Sequence, residues 1–213
     1  MRLRPLLAAL PLTLLLAGQA HAGLLFSATL TNSQEVPPTV PTTTTGAPRP
    51  TSFGTATLEL NDAQTALTMQ MSVSNIDFTG SQTTDVNDNL TVAHIHAAAP
   101  PGATAGVVWG FIGTPFNDTN PTDTIVTALV NGVGGTVTTK WDLTEGNNTT
   151  LAAQLPNILA GLAYINFHTV QFASGEIRGQ IVRVPEPASL GLLAVGLVGL
   201  VGASRARRRA GAG

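Results

Sequence analysis

The chain has 213 residues, a formal net charge of −2 and no cysteine, so disulfides cannot support its fold. The charges are segregated, because six of the ten Lys and Arg residues lie within the first 22 and the last 29 positions. Residues 23–184 keep four basic against eleven acidic side chains. An acidic segment of this kind repels phosphate, which argues against a nucleic-acid partner.

The N-terminus has the order of a secretory signal. Arg2 and Arg4 precede an apolar stretch from Leu6 to Ala17, and the small residues Ala20 and Ala22 follow in an A-x-A pattern. This order predicts a signal peptide at residues 1–22, cut by signal peptidase after Ala22. The mature chain then keeps three histidines.

The C-terminus also has three consecutive parts. They are the motif Pro185, Glu186 and Pro187, an apolar run over 188–203, and an arginine-rich end over 204–213. Sixteen residues make a helix of roughly 24 Å, which predicts a short transmembrane helix. The arginines should remain cytoplasmic, so the domain before them faces outward.

This order of motif, helix and basic end resembles the PEP-CTERM sorting signal of Gram-negative bacteria. The resemblance implies processing by an exosortase, transient membrane anchoring, and delivery to the cell surface or the extracellular space. It also implies an association with biofilm and extracellular polysaccharide. A plain C-terminal anchor is the alternative interpretation.

Between the two ends, residues 23–184 show the period-two alternation of strands. The pattern predicts a single antiparallel β-sandwich or barrel, immunoglobulin-like or related, with one short helix capped by Thr149 or Thr150. A Pro/Thr-rich stretch over 36–50 has no hydrophobic face and is predicted to be an extended loop. The nine predicted strands are Leu24–Thr31, Phe53–Leu60, Leu67–Ser74, Leu90–Ala97, Gly106–Ile112, Thr124–Val130, Thr136–Leu143, Ala163–Thr169 and Glu176–Arg183.

Polar side chains share one face of three predicted strands. His94 and His96 alternate with Ala93 and Ile95, which places both imidazoles on the same side. Two later segments, YINFHT and SGEIRGQI, present their polar residues in the same alternating way. These residues are Tyr164, Asn166, His168, Glu176, Arg178 and Gln180.

The segments AHIH and GEIRGQI, with an early Glu-Val-Pro-Pro loop, resemble the CHRD (chordin-type) domain over about residues 24–182. The resemblance implies a β-sandwich. It maps the histidines of the family onto His94, His96 and His168, and its Glu and Arg onto Glu176 and Arg178. The chain departs from the simplest family pattern by inserting DVNDN and a longer Gly/Ala/Pro loop around the H-x-H strand.

Two interpretations of this cluster stay open. The histidines with Glu176, Arg178 and Asn166 can form a buried polar network that fixes strand register. Alternatively, the three histidines bind one copper or zinc ion, since imidazole suits both metals. No nucleophile motif is present, so we expect no catalytic residue, and a metal-dependent oxidoreductase is the enzymatic alternative.

The sequence as a whole predicts a cell-surface or matrix protein that acts as a binding or structural module. Its expected partners are signal peptidase, exosortase, and a polysaccharide or surface protein. A mononuclear copper- or zinc-binding protein is the alternative function.

Overall fold

The computed structural model describes residues 23–185 and Gly196. The predicted signal peptide therefore lies outside the described residues, as does the predicted membrane helix apart from Gly196. No helix in the described part is long and apolar enough to cross a membrane.

The described residues are organised almost entirely as strands. One α-helix, α1, covers Leu151–Leu159, and two short 3₁₀ turns cover Asn32–Gln34 and Val86–Asp88. The strands are β1 (Leu24–Thr31), β2 (Phe53–Leu60), β3 (Ala66–Ser74), β4 (Leu90–Ala97), β5 (Val107–Ile112), β6 (Ile125–Ala128), β7 (Gly134–Asp142), β8 (Ala163–Thr169), β9 (Ile177–Gln180) and β10 (Val182–Arg183).

All ten strands belong to one antiparallel sheet that curls into a half-barrel. The strand order is β5-β4-β8-β9-β1-β2-β3-β7-β6, and β10 pairs with β1 off this path. Curling brings the two ends of the sheet together, since Trp109 of β5 stacks on Trp141 of β7 at a centroid distance of 5.4 Å. The predicted all-β class with one short helix is confirmed.

The core fills the concave side of this curled sheet. In β2 every second residue is buried, from Gly54 to Leu60, while the residues between them are exposed. The same alternation in β3 buries Leu67, Met69, Met71 and Val73. A period of two therefore separates one apolar face from one polar face, as expected for a sheet with one solvated side.

Helix α1 begins where the sequence predicts it. Thr150 adopts an extended backbone, and its hydroxyl accepts a hydrogen bond from the amide of Ala153 at 3.2 Å. This is an N-cap, and it satisfies one of the free donors in the first helical turn. Leu151 and Ile158 then bury one side of the helix in the core.

Strand β9 joins the two halves of the sheet. It pairs with β8 along four residues and meets β1 through the pair Thr31 and Arg178. The predicted strand Glu176–Arg183 is divided at Ile181, because Val182 and Arg183 pair with β1 rather than with β8. This arrangement places the GEIRGQ segment beside the strand that carries His168.

Candidate functional site

The polar residues of β4, β8 and β9 lie on the convex face of the sheet. Strand register aligns His94 with Asn166 and Arg178 in one row. A second row aligns His96 with Tyr164 and Gln180. These side chains and that of His168 point away from the apolar core, yet all of them are buried. The seven residues are His94, His96, His168, Tyr164, Asn166, Arg178 and Gln180.

Loops cover this face and supply a hydrogen-bond acceptor to each histidine. His94 Nε2 lies 3.2 Å from the carbonyl oxygen of Thr114. His96 Nδ1 and His168 Nδ1 each lie 3.0 Å from a carbonyl oxygen, those of Ala105 and Ala173 respectively. A carbonyl only accepts, so each of these ring nitrogens carries the hydrogen, which leaves the other nitrogen with a free lone pair.

The three remaining ring nitrogens are the candidate ligand atoms of this cluster. His94 Nδ1, His96 Nε2 and His168 Nε2 are buried and have no hydrogen-bond partner among the described residues. One nitrogen from each ring lies within 4.8 Å of the others, and the ring centroids are 5.1 to 5.9 Å apart. The structure thus brings together the three histidines that the sequence singled out.

Burial keeps these rings neutral. It lowers the pKa of His94 to about 4, with a smaller contribution from the charges that His168 and His96 would carry. Burial likewise lowers the pKa of His96 to about 4 and lowers the pKa of His168. All three imidazoles therefore present an unprotonated nitrogen at neutral pH.

Arg178 and Tyr164 form a layer beneath the histidines. The ring of Tyr164 stacks on His96 at 4.8 Å with an interplanar angle of 5°. The guanidinium carbon of Arg178 lies 3.5 Å from the centre of that tyrosine ring, in cation–π geometry. Arg178 also donates to the carbonyl oxygens of Ala103 and Pro100, which fastens the loop over 98–106 to the sheet.

Glu176 belongs to a separate part of the network. Its carboxylate accepts hydrogen bonds from Arg49 at 2.5 Å, from Thr169 at 2.6 Å, and from Ser52. Among the described residues no hydrogen bond or ion pair joins it to Arg178, which donates to two loop carbonyls and to the side chain of Gln180. Asn166 lies between the two groups, where Nδ2 reaches the carbonyl of Ser174 at 3.5 Å and Oδ1 has no partner among the described residues.

Sequence reasoning missed Arg49, which lies in the Pro/Thr-rich loop. Its guanidinium bridges Glu176, the side chain of Gln171 and the carbonyl of Asn75. The sequence signal that could have indicated Arg49 is the rarity of basic residues, because it is one of only four between positions 23 and 184. A cation in an acidic domain with few others is a natural partner for a buried carboxylate.

A cavity of about 400 Å³ opens beside the polar face. Glu35 from the early loop and Arg178 from β9 both line it, together with Pro101 and Gly102. Burial raises the pKa of Glu35 to about 7, although the nearby charge of Arg178 acts to lower it. Glu35 therefore changes its charge near neutral pH.

The processing residues lie at the margins of the described structure. Pro185 is exposed and lies two residues after the end of β10, while Glu186 and Pro187 lie outside the described residues. Ala20 and Ala22, the predicted signal cleavage residues, also lie outside them. The sorting motif and the cleavage site therefore stay sequence predictions.

Comparison with protein families gives two matches on adjacent stretches of the chain. Residues 26–181 match the CHRD domain, and residues 183–209 match the PEP-CTERM protein-sorting motif. Curated proteins and solved structures gave no significant match. The first match spans about three quarters of the sequence and includes all three histidines and the GEIRGQ segment. The chain is a member of the CHRD domain family that carries a PEP-CTERM sorting motif.

Proposed function

We propose that this protein is exported, processed by an exosortase at its C-terminal tail, and delivered to the cell surface or the extracellular space. There the CHRD domain acts as a non-enzymatic binding or structural module. The observation that carries the proposal is the match of residues 183–209 to the sorting motif, which begins at the final residue of β10, the last strand of the domain.

The chemistry of the tail supports this route. The prolines of the motif hold an extended backbone that has no helical hydrogen bonds, and a protease needs such a backbone in its cleft. The apolar run over 188–203 and the arginines beyond it would keep the chain in the membrane until it is cut. Pro185 is exposed, so the folded domain does not cover the start of the motif.

The convex face of β2, β3 and β7 supports a role as a matrix module. One row across these strands carries Thr55, Ser72 and Thr136. The next row carries Thr57, Gln70 and Thr138, and all six side chains are exposed. Such an array of hydroxyl and amide groups suits hydrogen bonding to a hydrated polysaccharide, the partner class implied by the tail.

A non-enzymatic role agrees with both family descriptions, since neither names a reaction. Neither names a metal either, so the comparisons do not favour the copper- or zinc-binding alternative. Ser174 and Glu176 do not form a nucleophile–base pair, because Glu176 is occupied by Arg49, Thr169 and Ser52. These observations support the surface module as the function of the chain.

Processing of the tail is the direct test. We would express the full chain in a bacterium with an exosortase, alongside a version in which Pro185, Glu186 and Pro187 are replaced by alanine. The unaltered chain should appear outside the cell with a mass that lacks the tail, whereas the altered chain should stay in the membrane at full length. Val184→Ala, next to the motif, is the matched control and should be processed normally.

Two outcomes would contradict the proposed route. One is release of the unaltered chain with its tail still attached. The other is equal processing of the chain with and without the motif, or in an isogenic host whose exosortase is deleted.

The matrix role has its own test. Thr57→Glu combined with Thr138→Glu places two charges in the hydroxyl array, which should reduce retention of the released protein in the extracellular polysaccharide. Thr91→Glu, an exposed threonine on β4, is the control and should be retained like the unaltered protein. Equal retention of the double variant would overturn the assignment of this face.

A further inference from the structure

We propose that His94, His96 and His168 bind a single copper or zinc ion, through Nδ1 of His94 and Nε2 of the other two. This inference goes beyond the surface-module function, which needs no metal.

The hydrogen-bond pattern of the rings carries the inference. Each ring donates its N–H to a loop carbonyl, so the second nitrogen of each ring is an acceptor, buried and without a partner among the described residues. Acceptors cannot satisfy one another, and an unpaired buried acceptor costs folding free energy. A single cation satisfies all three lone pairs at once, whereas a water molecule has only two hydrogens to donate.

The spacing of the nitrogens is close to that of a three-nitrogen site. At metal–nitrogen bonds of about 2.0–2.1 Å, three ligands around one ion lie roughly 3.3 to 4.1 Å apart. The observed limit of 4.8 Å is wider than this range by roughly 0.7 to 1.5 Å, which ring rotations on the three side chains would have to close. His94 and His96 alternate on β4, and His168 lies diagonally across on β8, so the site spans two directly paired strands.

The surroundings resemble the outer shell of a metal site. A ligating histidine usually donates its second nitrogen to a carbonyl or a carboxylate, which fixes the tautomer and the ring orientation. All three rings do so here. Tyr164 adds a further support, because its hydroxyl accepts from the amide of Ala105, whose carbonyl holds His96. Tyr164 is thus a positioning residue and not a ligand.

The ligand set selects the class of metal. Three neutral imidazoles suit copper and zinc, while calcium and magnesium prefer oxygen ligands. No carboxylate belongs to this group of ligands among the described residues. Three protein ligands leave a fourth position on the ion for water or another small ligand.

Metal titration of the exported protein tests the proposal. After removal of metal with a chelator, the protein would be titrated separately with Cu²⁺ and with Zn²⁺. We expect one equivalent of at least one of them to bind and to raise Tm by about 5 to 10 °C at a hundredfold excess over Kd. Bound Cu²⁺ should show nitrogen hyperfine couplings from imidazole in its electron paramagnetic resonance spectrum.

Variants separate binding from folding. His94→Ala, His96→Ala and His168→Ala should each fail to bind the one equivalent of metal and should show no metal-induced rise in Tm. Each metal-free variant should still melt cooperatively, since it removes one unpaired acceptor. Tyr164→Phe should still bind one equivalent of metal, but with an affinity about tenfold lower. Thr91→Ala, at an exposed position of the strand that carries His94 and His96, is the control and should bind like the unaltered protein.

Failure to bind one equivalent of either metal would overturn the proposal. So would a full equivalent retained by all three histidine variants, which would place the ion elsewhere on the protein.

Discussion

The guanidinium of Arg49 lies 2.5 Å from the carboxylate of Glu176, and both side chains are almost completely buried. The pair connects the loop before β2 to the turn before β9, two segments separated by more than 120 residues. Because burial strips both charges of water, each depends on the other. The pair therefore fixes a loop that has no hydrophobic face of its own.

Glu176→Gln should destabilise the domain strongly. The substitution keeps the shape of the side chain but leaves the Arg49 charge buried without compensation, which we expect to cost about 3 kcal/mol of unfolding free energy. Chemical denaturation of the variant and the unaltered protein measures this loss of unfolding free energy. Lys140→Gln is the control, because its partners Asp123 and Asp142 are partly exposed and the loss should stay below about 1 kcal/mol. Equal losses in the two variants would contradict this account.

Gly110→Ala should disrupt the loop that holds His94. A Cβ at this position would lie 1.8 Å from the carbonyl oxygen of Pro115 and 3.0 Å from the His94 ring, so backbone has to move. We expect a loss of about 3 kcal/mol. Gly106→Ala is the matched control, since nothing lies within 4 Å of its Cβ and stability should change by less than about 1 kcal/mol. A harmless Gly110→Ala would show that the loop approaches β5 less closely than described.

Glu35→Gln should change the pH dependence of stability. The carboxyl of Glu35 has a pKa of about 7 in the fold, against 4.5 ordinarily, because of burial. Between these values the folded state keeps a proton that the unfolded state loses, so stability falls as pH rises from 4.5 to 7. The loss reaches about 3 kcal/mol and is complete above pH 7. The facing charges of Arg178 and Glu176 are part of this balance.

The readout is the difference in unfolding free energy between Glu35→Gln and the unaltered protein at each pH. This difference cancels the contributions of the histidines, which titrate in the opposite sense. The variant should be close to the unaltered protein below pH 5 and more stable above pH 7. A difference that does not vary with pH would show that Glu35 ionises at its ordinary value.

Trp141→Phe should cost more than Trp109→Phe, although the two rings stack and both are fully buried. The indole N–H of Trp141 donates to the carbonyl of Glu145 at 2.8 Å, while that of Trp109 has no partner among the described residues. Replacing Trp141 removes this hydrogen bond, although the carbonyl of Glu145 still accepts from the amide of Leu151. Replacing Trp109 removes a buried donor that has no partner among the described residues, so the cost of Trp141→Phe should be higher by about 1 kcal/mol. Denaturation of the two variants compares them directly, and an equal or reversed order would contradict the prediction.

Much of the strand pattern could be predicted, because alternation along a strand is a local property. The predicted bounds of β1, β2, β4 and β8 agree with the structure, and the H-x-H spacing correctly places two imidazoles on one face. Strand order is not local. Nothing in the alternation of β9 indicates that it lies between β8 and β1.

The candidate site was predictable only in its side chains. The groups that hold the histidine rings are the backbone carbonyls of Thr114, Ala105 and Ala173. Every residue type has the same backbone carbonyl, so residue identity does not indicate which ones take this role. Their positions follow from loop paths, which the sequence pattern does not determine. The pairing of Arg49 with Glu176 escaped prediction for the same reason, since it depends on where the Pro/Thr-rich loop crosses the sheet.

The position of β9 has a consequence for biogenesis. The strand that joins the two halves of the sheet is among the last parts of the domain to be synthesised and to leave the translocation channel. Until it arrives, β8 lacks its partner on one side and the first strand has no neighbour beyond β2. The domain thus completes its sheet only as the sorting motif itself emerges, so maturation of the fold and presentation of the tail to its protease are coupled in time.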